Sequence, residues 1–332
     1  MTPERLMQLA WGYAPPLVIE AAVRNGVFDA LARGARTVAE LAAETGASER
    51  GLTAISDALV GLGLLEKDGS ARYRLAPESA AFLVKDKPGY LGSFFRHIST
   101  QLIPDWLHLT ETVRTGAPPV TVNEEATGSP FFQEFVESLF GINYAAAKLL
   151  GEHLGLGGAS APVRVLDLAA GSGVWGIALA EQSPHVAVTA VDWPGVLATT
   201  RRVVERHGLT RQYSFVAGDL LQAAFGTGHQ IATLGHILHT EGEARSRELL
   251  RRTFDALAPG GTIAIGEFLV SQDRTGPPHC LLFAVNMLLH SSAGNAYSFE
   301  EIGAWLSEAG FTDIRTLEAP APSPLILASR PA

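Results

Sequence analysis

The stretch from Val163 to Ala180 constrains the fold of this chain more than any other. It reads VRVLDLAAGSGVWGIALA, which is a short apolar run, a turn of small residues and an apolar segment with helical spacing. This order predicts a strand, a tight turn and a helix, the opening unit of a doubly wound α/β sheet. Glycines let the backbone turn sharply there, and free N–H groups at the helix start make the crevice ready for a ligand.

From this unit onward, strands and helices alternate to the end of the chain. Predicted strands cover 163–168, 186–191, 213–217, 231–238, 262–269, 311–317 and 324–329. Predicted helices cover 174–182, 195–207, 243–257, 279–290 and 299–309. Such alternation predicts a largely parallel sheet with helices on both faces.

The first 92 residues predict a separate, mostly helical domain. A helical pattern over 17–31 is followed by Thr37-Val-Ala-Glu40, which has the spacing of a capping box. Ser48 can cap a third helix, and two short apolar runs around Asp68-Gly69 predict a two-stranded wing. The order of these elements is that of a winged helix.

Composition excludes several classes of function. Hydrophobic residues make up 47% of the chain and charged residues 18%, which indicates a globular protein. No apolar run is long enough to span a membrane, and the N-terminus lacks the order of a secretory signal. The net charge of −9 opposes binding to nucleic acid, and the single cysteine, Cys280, cannot form an internal disulfide. We expect a cytoplasmic protein without nucleic-acid or membrane partners.

The glycine-rich turn can be interpreted in two ways. Taken alone, Gly171-Ser-Gly173-Val-Trp-Gly176 matches the G-x-G-x-x-G pattern of dinucleotide binding, with Asp192 where a ribose-binding acid belongs. The upstream Asp167 extends the pattern to D-x-A-x-G-x-G, which closely resembles motif I of S-adenosylmethionine (SAM)-dependent methyltransferases, with Ala169 replacing the first glycine. We therefore expect SAM as the cofactor, and NAD(P)-dependent oxidoreduction stays as an alternative.

With its winged-helix front end, the chain resembles the plant-type O-methyltransferase family and its bacterial natural-product relatives over nearly its whole length. The resemblance implies an α/β fold with a seven-stranded, doubly wound, Rossmann-like sheet whose final strand is antiparallel, preceded by a mainly α dimerisation domain. The implied domains are 1–92 for dimerisation, 93–155 as a helical connector and substrate lid, and 156–332 for SAM binding. It also implies a homodimer that acts on a small-molecule acceptor.

The resemblance gives a cofactor-binding role to residues at the turn and at the next two strand ends: Asp167, Ala169, Gly171, Gly173, Asp192, Trp193, Gly218, Asp219 and Leu220. Asp192 would hold the ribose hydroxyls, since a carboxylate accepts two hydrogen bonds at once. Trp193 would cover one face of the adenine. Asp219 would accept from the adenine amino group, and Leu220 would pack on the ring.

The resemblance also places a general base at His239, in the segment after the fourth strand. Histidine suits this role because its ordinary pKa of about 6.5 leaves it neutral at cell pH. Glu267 matches an acid that orients the base. The acceptor would be a small hydroxylated molecule of an aromatic or polyketide-like kind, in contact with Phe135, Asn143, His236, Asn286 and His290.

Two family residues are absent, because Ala296 stands where a second acid is expected and Gly235 where a lysine is usual. Carbon methylation with a metal held by two histidines, and SAM binding without methyl transfer, therefore stay open.

On a strand, the rings of His236 and His239 would point to opposite faces, so a metal would need His239 with His290. Packing of His290 is preferred, and no metal is predicted. The last alternative is a winged-helix DNA-binding regulator, which the net charge opposes.

Overall fold

A computed structural model describes residues 2–332, with every side chain in that range except that of Glu134. The chain forms two compact units, one up to Pro104 and the other from Asp105 to Ala332. The division falls inside the segment 93–155, which is predicted from the sequence to be one connector. No helix in the described chain combines the length and the apolar character that a membrane crossing requires.

The first unit consists of short helices and one hairpin. Its elements are α1 (Glu4–Ala10), α2 (Ala14–Arg24), α3 (Val27–Ala32), α4 (Val38–Thr45), α5 (Glu49–Gly61), β1 (Leu65–Lys67), β2 (Tyr73–Leu75), α6 (Pro77–Phe82), α7 (Gly92–His97) and a π-helical turn (Ile98–Leu102). The predicted capping box is confirmed by reciprocal hydrogen bonds between Thr37 and Glu40, and Ser48 accepts from the backbone N–H of Gly51. The pattern over 17–31 forms two helices because Gly26 is left-handed, with φ of 68°.

The elements that follow lie in the second unit, apart from α8, which spans the division. They are α8 (Ile103–Trp106), α9 (Leu109–Thr115), α10 (Glu125–Phe135), α11 (Phe140–His153), β3 (Val163–Leu168), α12 (Val174–Ala180), β4 (Val186–Asp192), α13 (Pro194–Arg206), β5 (Tyr213–Ala217), β6 (His229–Gly235), α14 (Leu238–Ala256), β7 (Leu257–Gly266), α15 (Pro278–His290), α16 (Phe299–Glu308), β8 (Thr312–Leu317) and β9 (Leu325–Ser329). Short 3₁₀ turns occupy 136–139, 156–158 and 210–212. The alternation predicted after residue 162 is confirmed.

Seven strands form one sheet in the order β5-β4-β3-β6-β7-β9-β8. The strands β3 to β7 run parallel, and β9 is antiparallel to both of its neighbours. This confirms the predicted seven-stranded sheet with an antiparallel last strand. The order of the strands reverses between β3 and β6, and such a switch point opens a crevice at the carboxyl ends of the strands.

Apolar side chains fill both faces of the sheet. Neighbouring residues of β3 alternate between the faces, as in any strand. Leu166 packs in the core on the side of α14 and α16, whereas Val165 packs in the core on the side of α11 and α12. Because both faces are covered, the polar residues that follow the strand ends are held at one edge of a rigid layer.

The largest departure from the predicted elements occurs after β6. The predicted strand over 231–238 is too long, because β6 ends at Gly235 and His236 adopts a left-handed φ of 61°. The helix α14 begins at Leu238 and bends at Gly242, where φ is 77° and ψ is 168°. His239 therefore lies in the first turn of a helix and not on a strand.

Candidate active site

A cavity of about 890 Å³, partly open to solvent, lies at the carboxyl ends of β3, β4, β5 and β6. Nine of the residues predicted to form the site line it: Asn143, Ala169, Gly171, Asp192, Trp193, Gly218, Asp219, Leu220 and His236. The other predicted residues lie behind its wall or beside it.

The turn between β3 and α12 contains three left-handed residues. Their φ angles are 52° for Ala169, 55° for Gly171 and 78° for Gly173. Ala169 thus keeps the conformation that a glycine would adopt freely, at a steric cost of about 1–2 kcal/mol. Gly173 does not line the cavity, and a side chain there would press on Thr200. Gly173 shapes the turn, and its cofactor-binding role stays a prediction.

Asp167 lies behind the turn and is fully buried. Its Oδ2 accepts a hydrogen bond from the backbone N–H of Gly176 (3.1 Å), and its Oδ1 accepts one from Thr233 Oγ1 (2.7 Å). Burial raises the pKa of this carboxyl to about 7. Asp167 thus ties α12 to β6 and does not line the cavity, and its cofactor-binding role stays a prediction.

Asp192 ends β4 at the cavity wall. Its Oδ2 accepts from the backbone N–H of Gly171 (2.9 Å) and its Oδ1 accepts from that of Trp193 (2.7 Å). Desolvation raises the pKa of Asp192 to about 6, although both hydrogen bonds favour the charged form. Each carboxylate oxygen can accept a further hydrogen bond. The side chain can therefore bind a ligand that offers two hydroxyl groups.

Asp219 begins a network of three charged side chains. Its Oδ1 accepts from the backbone N–H of Leu221 (2.9 Å), and its Oδ2 accepts from Arg245 Nη2 (2.7 Å). Arg245 also donates to Glu241, a buried carboxylate on the cavity wall. Arg245 and Glu241 were not predicted as site residues, although their i,i+4 spacing on a helix is a recognisable signal.

His239 and Glu267 form a buried pair. His239 Nδ1 donates to Glu267 Oε2 at 2.6 Å, and the backbone N–H of His239 donates to Glu267 Oε1 at 3.2 Å. Burial acts to raise the pKa of Glu267, but the neighbouring His239 outweighs it and holds this pKa below its usual value. Because the carboxylate accepts the Nδ1 proton, Nε2 of His239 is left with its lone pair, as a general base requires.

The turn that carries His239 is fixed by its surroundings. The carbonyl of His239 accepts from the backbone N–H of Asn295 (2.9 Å), and the carbonyl of Thr240 accepts from Ser291 Oγ (2.8 Å). The Phe283 ring lies edge-on, 4.8 Å from the imidazole. His239 and Glu267 do not line the cavity itself, whereas the adjacent Thr240 does.

His236 lies beside His239, with ring centroids 6.3 Å apart. The expectation that these rings point to opposite faces is wrong, because the strand ends before both residues. His236 Nε2 donates to Asn143 Oδ1 at 3.0 Å, and burial lowers the pKa of His236 to about 4, so the ring is neutral at pH 7.

Among the described residues, one group could hold a metal ion. His236, His239 and Glu267 bring their ligand atoms within 4.8 Å of one another. Both oxygens of Glu267, however, already accept hydrogen bonds from His239. The Nδ1 proton of His239 is thus directed at this carboxylate, as an oriented base requires.

His290 is buried away from the cavity wall. Its Nδ1 donates to the carbonyl of Asn286 (2.8 Å), and its Nε2 bonds with Asp105 Oδ2 (2.9 Å). Both ring nitrogens of His290 are therefore engaged in hydrogen bonds, which agrees with the packing role preferred for it.

Two more residues predicted to contact the acceptor are engaged elsewhere. Asn286 Oδ1 accepts from Trp106 Nε1 at 3.0 Å. Phe135 is buried and packs against Phe132, with ring centroids 5.7 Å apart. Neither lines the cavity, so of the five predicted acceptor contacts the structure brings only Asn143 and His236 to its wall.

The two departures from the family pattern have different surroundings. A side chain at Gly235 would collide with the indole of Trp175, which occupies the space above the end of β6. Ala296 is buried in a small apolar cluster with Val270 and Cys280. Trp175 lines the cavity and was not predicted to do so.

Family models, related sequences and solved structures all show similarity of this chain to methyltransferases. The O-methyltransferase domain family matches residues 106–312, and the O-methyltransferase dimerisation domain family matches residues 7–85. The chain is 34% identical to 3-hydroxy-5-methyl-1-naphthoate 3-O-methyltransferase of Streptomyces sahachiroi, over 96% of this chain and 92% of that protein. It is 31% identical to the tetracenomycin polyketide synthesis 8-O-methyl transferase TcmO of Streptomyces glaucescens, over 99% and 97%. The crystal structure of human N-acetylserotonin methyltransferase with SAM superimposes with a TM-score of 0.86 at 26% identity, over 100% and 99%.

Proposed function

Since the chain belongs to the SAM-dependent O-methyltransferase family, we propose that it methylates a hydroxyl of a small aromatic, polyketide-like acceptor with His239 as the general base. The observation that carries this proposal is the buried 2.6 Å hydrogen bond from His239 to Glu267. The acceptor class is taken from the two Streptomyces relatives, whose names give a naphthoate and a polyketide.

The residues of the cavity wall fit SAM. Asp192 is a desolvated carboxylate that two ribose hydroxyls would stabilise, and its pKa of about 6 leaves it ionised at pH 7. The left-handed turn at Gly171 brings backbone close to the ligand without a Cβ in the way. Trp193 offers an aromatic face on the same wall for the adenine.

In the proposed reaction, His239 Nε2 takes the proton of the acceptor hydroxyl as the hydroxyl oxygen forms a bond to the methyl carbon. Glu267 stabilises the imidazolium that results, and the proton then leaves to solvent. SAM supplies the methyl group, and the electron pair of the broken C–S bond stays on the sulfur of S-adenosylhomocysteine. A positioned base of this kind contributes about 10²–10⁴-fold, and alignment of the reactants contributes the rest.

The proposal includes a homodimer formed through the first unit. Besides the match to a dimerisation domain, α1 and the turn after it expose a row of large apolar side chains: Leu6, Met7, Leu9, Trp11 and Tyr13. Such a row suits a surface that a second copy covers. The proposal also includes a cytoplasmic location, where SAM is synthesised.

The test combines binding with turnover. The protein is heated with SAM, S-adenosylhomocysteine or NADPH, and a ligand at 100 times its Kd should stabilise it by about 2.7 kcal/mol. Hydroxylated naphthoates and anthraquinones are then incubated with the enzyme and SAM, and a gain of one methyl group is followed by mass spectrometry. Stabilisation by NADPH and not by the two sulfur ligands would contradict the proposal.

A further inference from the structure

A buried N–H group on the cavity wall has no partner in the protein and no role in the proposed function. The indole of Trp175 lines the cavity and is 5% exposed, and its Nε1 donates no hydrogen bond to any residue that the structure describes. Asn123 Oδ1 and His236 Nδ1 on the same wall also lack partners, but both are acceptors when His236 Nε2 donates to Asn143. A buried donor without an acceptor is costly, so an acceptor on a ligand is the natural partner of the indole N–H.

The ends of two strands hold the indole in one place. Trp175 lies in the first turn of α12, and its ring covers Gly235 at the end of β6 and Gly266 at the end of β7. A Cβ at Gly235 would collide with Nε1, and a Cβ at Gly266 would lie 3.0 Å from Cζ2. The glycine at 235, which departs from the family pattern, therefore gives the indole its place.

The charge of the cavity wall narrows the kind of donor that an anionic group can meet there. Among the described residues, no lysine or arginine lines the cavity. SAM carries one anionic group, the carboxylate of its amino acid part, which only accepts hydrogen bonds. In this cavity the carboxylate must take its hydrogen bonds from neutral donors, and such bonds are stronger when the acceptor is charged.

The strand order puts the amino acid part of SAM on the same side of the cavity as Trp175. The proposed function places the ribose at Asp192, which ends β4, and the reacting methyl group near His239, which follows β6. In the sheet β3 separates β4 from β6. Because the sulfur is bonded to the ribose carbon, the methyl group and the amino acid chain, that chain begins towards β6, where the Trp175 ring covers Gly235.

We propose that the indole N–H of Trp175 donates a hydrogen bond to the carboxylate of the amino acid part of SAM, as a further cofactor-binding residue. The inference rests on the proposed function, since it assumes that SAM occupies the cavity. It predicts that the affinity contributed by this carboxylate depends on one N–H group. Trp175→Phe removes that group and keeps an aromatic ring in its place.

The test is calorimetric titration with S-adenosylhomocysteine and with its decarboxylated analogue, which keeps the nucleoside, the thioether and the amine. Trp175→Phe should weaken S-adenosylhomocysteine by about 10–100-fold, because a hydrogen bond to a charged group is lost. The affinity for the analogue should stay within about twofold, because the analogue has no partner for this N–H. The preference for the carboxylate ligand should therefore fall in the variant.

Nuclear magnetic resonance gives a second readout, which does not depend on affinity. The chain has five tryptophans, and the indole N–H signal that is missing from Trp175→Phe belongs to Trp175. In the unaltered protein this signal should move downfield when S-adenosylhomocysteine binds, because a hydrogen bond to a carboxylate deshields the proton. It should move less with the decarboxylated analogue, and an equal shift with both ligands would contradict the inference.

Trp305→Phe is the matched control. Trp305 is a second buried indole, which packs edge-on against Tyr297 in the core and does not line the cavity. This variant should bind each ligand as the unaltered protein does, so a loss of affinity in Trp175→Phe can be assigned to its position on the wall.

Equal losses for the two ligands in Trp175→Phe, or no loss for either, would overturn the inference. A higher KM for the acceptor beside an unchanged affinity for S-adenosylhomocysteine would also overturn it, since the N–H would then serve the acceptor. If Trp175→Phe fails to fold, Gly235→Ala decides, because its Cβ displaces the indole N–H and an unchanged preference between the ligands refutes the inference. Failure of the unaltered protein to bind S-adenosylhomocysteine would contradict the proposed function instead, so the two failures are distinguishable.

Discussion

The two halves of the sheet edge hold their carboxylates in opposite ways. In the half proposed to bind the cofactor (the cofactor half), at the ends of β3, β4 and β5, Asp192 accepts from backbone N–H groups of adjacent turns, and desolvation raises its pKa to about 6. In the half proposed to hold the general base (the catalytic half), beyond β6 and β7, Glu267 accepts from the side chain and the backbone of His239. Its pKa is lowered although it too is buried.

This difference separates two tasks. Asp192 pairs with neutral backbone donors that only partly offset its desolvation, so it gains further from a ligand with hydroxyl donors. Glu267 has a basic side chain as its partner, which holds its pKa below the usual value. The first carboxylate is suited to binding, and the second is suited to holding a base in one tautomer and orientation.

The largest effect should come from the catalytic half. We expect His239→Gln to lower kcat by about 10²–10⁴-fold, because the proton acceptor is removed while the cavity wall is unchanged. The Kd for S-adenosylhomocysteine should stay within about twofold, measured by calorimetry. His153→Gln, at an exposed site on α11, is the control. If His239→Gln also lost affinity for S-adenosylhomocysteine to a similar extent, binding and catalysis would not be carried by separate residues.

The next effect should come from the cofactor half. We expect Asp192→Asn to raise the Kd for S-adenosylhomocysteine by about 10–100-fold, since the amide offers one acceptor oxygen where the carboxylate offers two. At saturating SAM, kcat should change little. Asp255→Asn, exposed on α14, is the matched control.

The pH dependence of binding sharpens the same prediction. Asp192 is ionised above its pKa of about 6, so the affinity for S-adenosylhomocysteine should fall as the pH drops below 6. The loss should approach about tenfold per pH unit, and Asp192→Asn should lack this dependence. An unaltered affinity down to pH 5 in the parent protein would contradict the assigned role.

A smaller effect concerns stability and the buried Asp167. Its pKa is about 7 in the folded chain against an ordinary 3.8, so the folded state binds the proton more tightly. The contribution of this group to stability is therefore full below pH 4 and is lost as the pH rises to 7. Asp167→Asn should melt about 3–6 °C above the parent at pH 8, and this gain should shrink at pH 5. A rise in melting temperature that is equal at pH 8 and pH 5 would contradict this explanation.

The smallest effect is expected at Ala169. Because its φ of 52° costs an alanine free energy that a glycine avoids, Ala169→Gly should change stability by no more than about 1 kcal/mol, towards stabilisation. Chemical denaturation measures the difference, with Ala187→Gly in β4 as a control that should destabilise. Strong destabilisation by Ala169→Gly would show that the methyl group contributes packing.

The sequence by itself determined the local parts of this protein. The turn at Gly171, the alternation of strands and helices along the chain and the capping box at Thr37 were all predictable, because each depends on residues within a few positions of one another. The acid Asp192 at a strand end was predictable for the same reason. The pattern did not predict that β6 ends at Gly235, three residues before the predicted end at residue 238. This earlier end decides how the rings of His236 and His239 lie relative to each other.

Only the tertiary structure decided which predicted residues reach the cavity. Asp167 matched its motif, yet its carboxylate is used by Thr233 from another strand. His290 matched an expected region, yet its ring is used by Asp105, 185 positions away in the sequence. Glu241 gained its place through Arg245 and Asp219. Sequence spacing specifies backbone conformation, but the partner of a buried polar group depends on which distant elements the fold brings beside it.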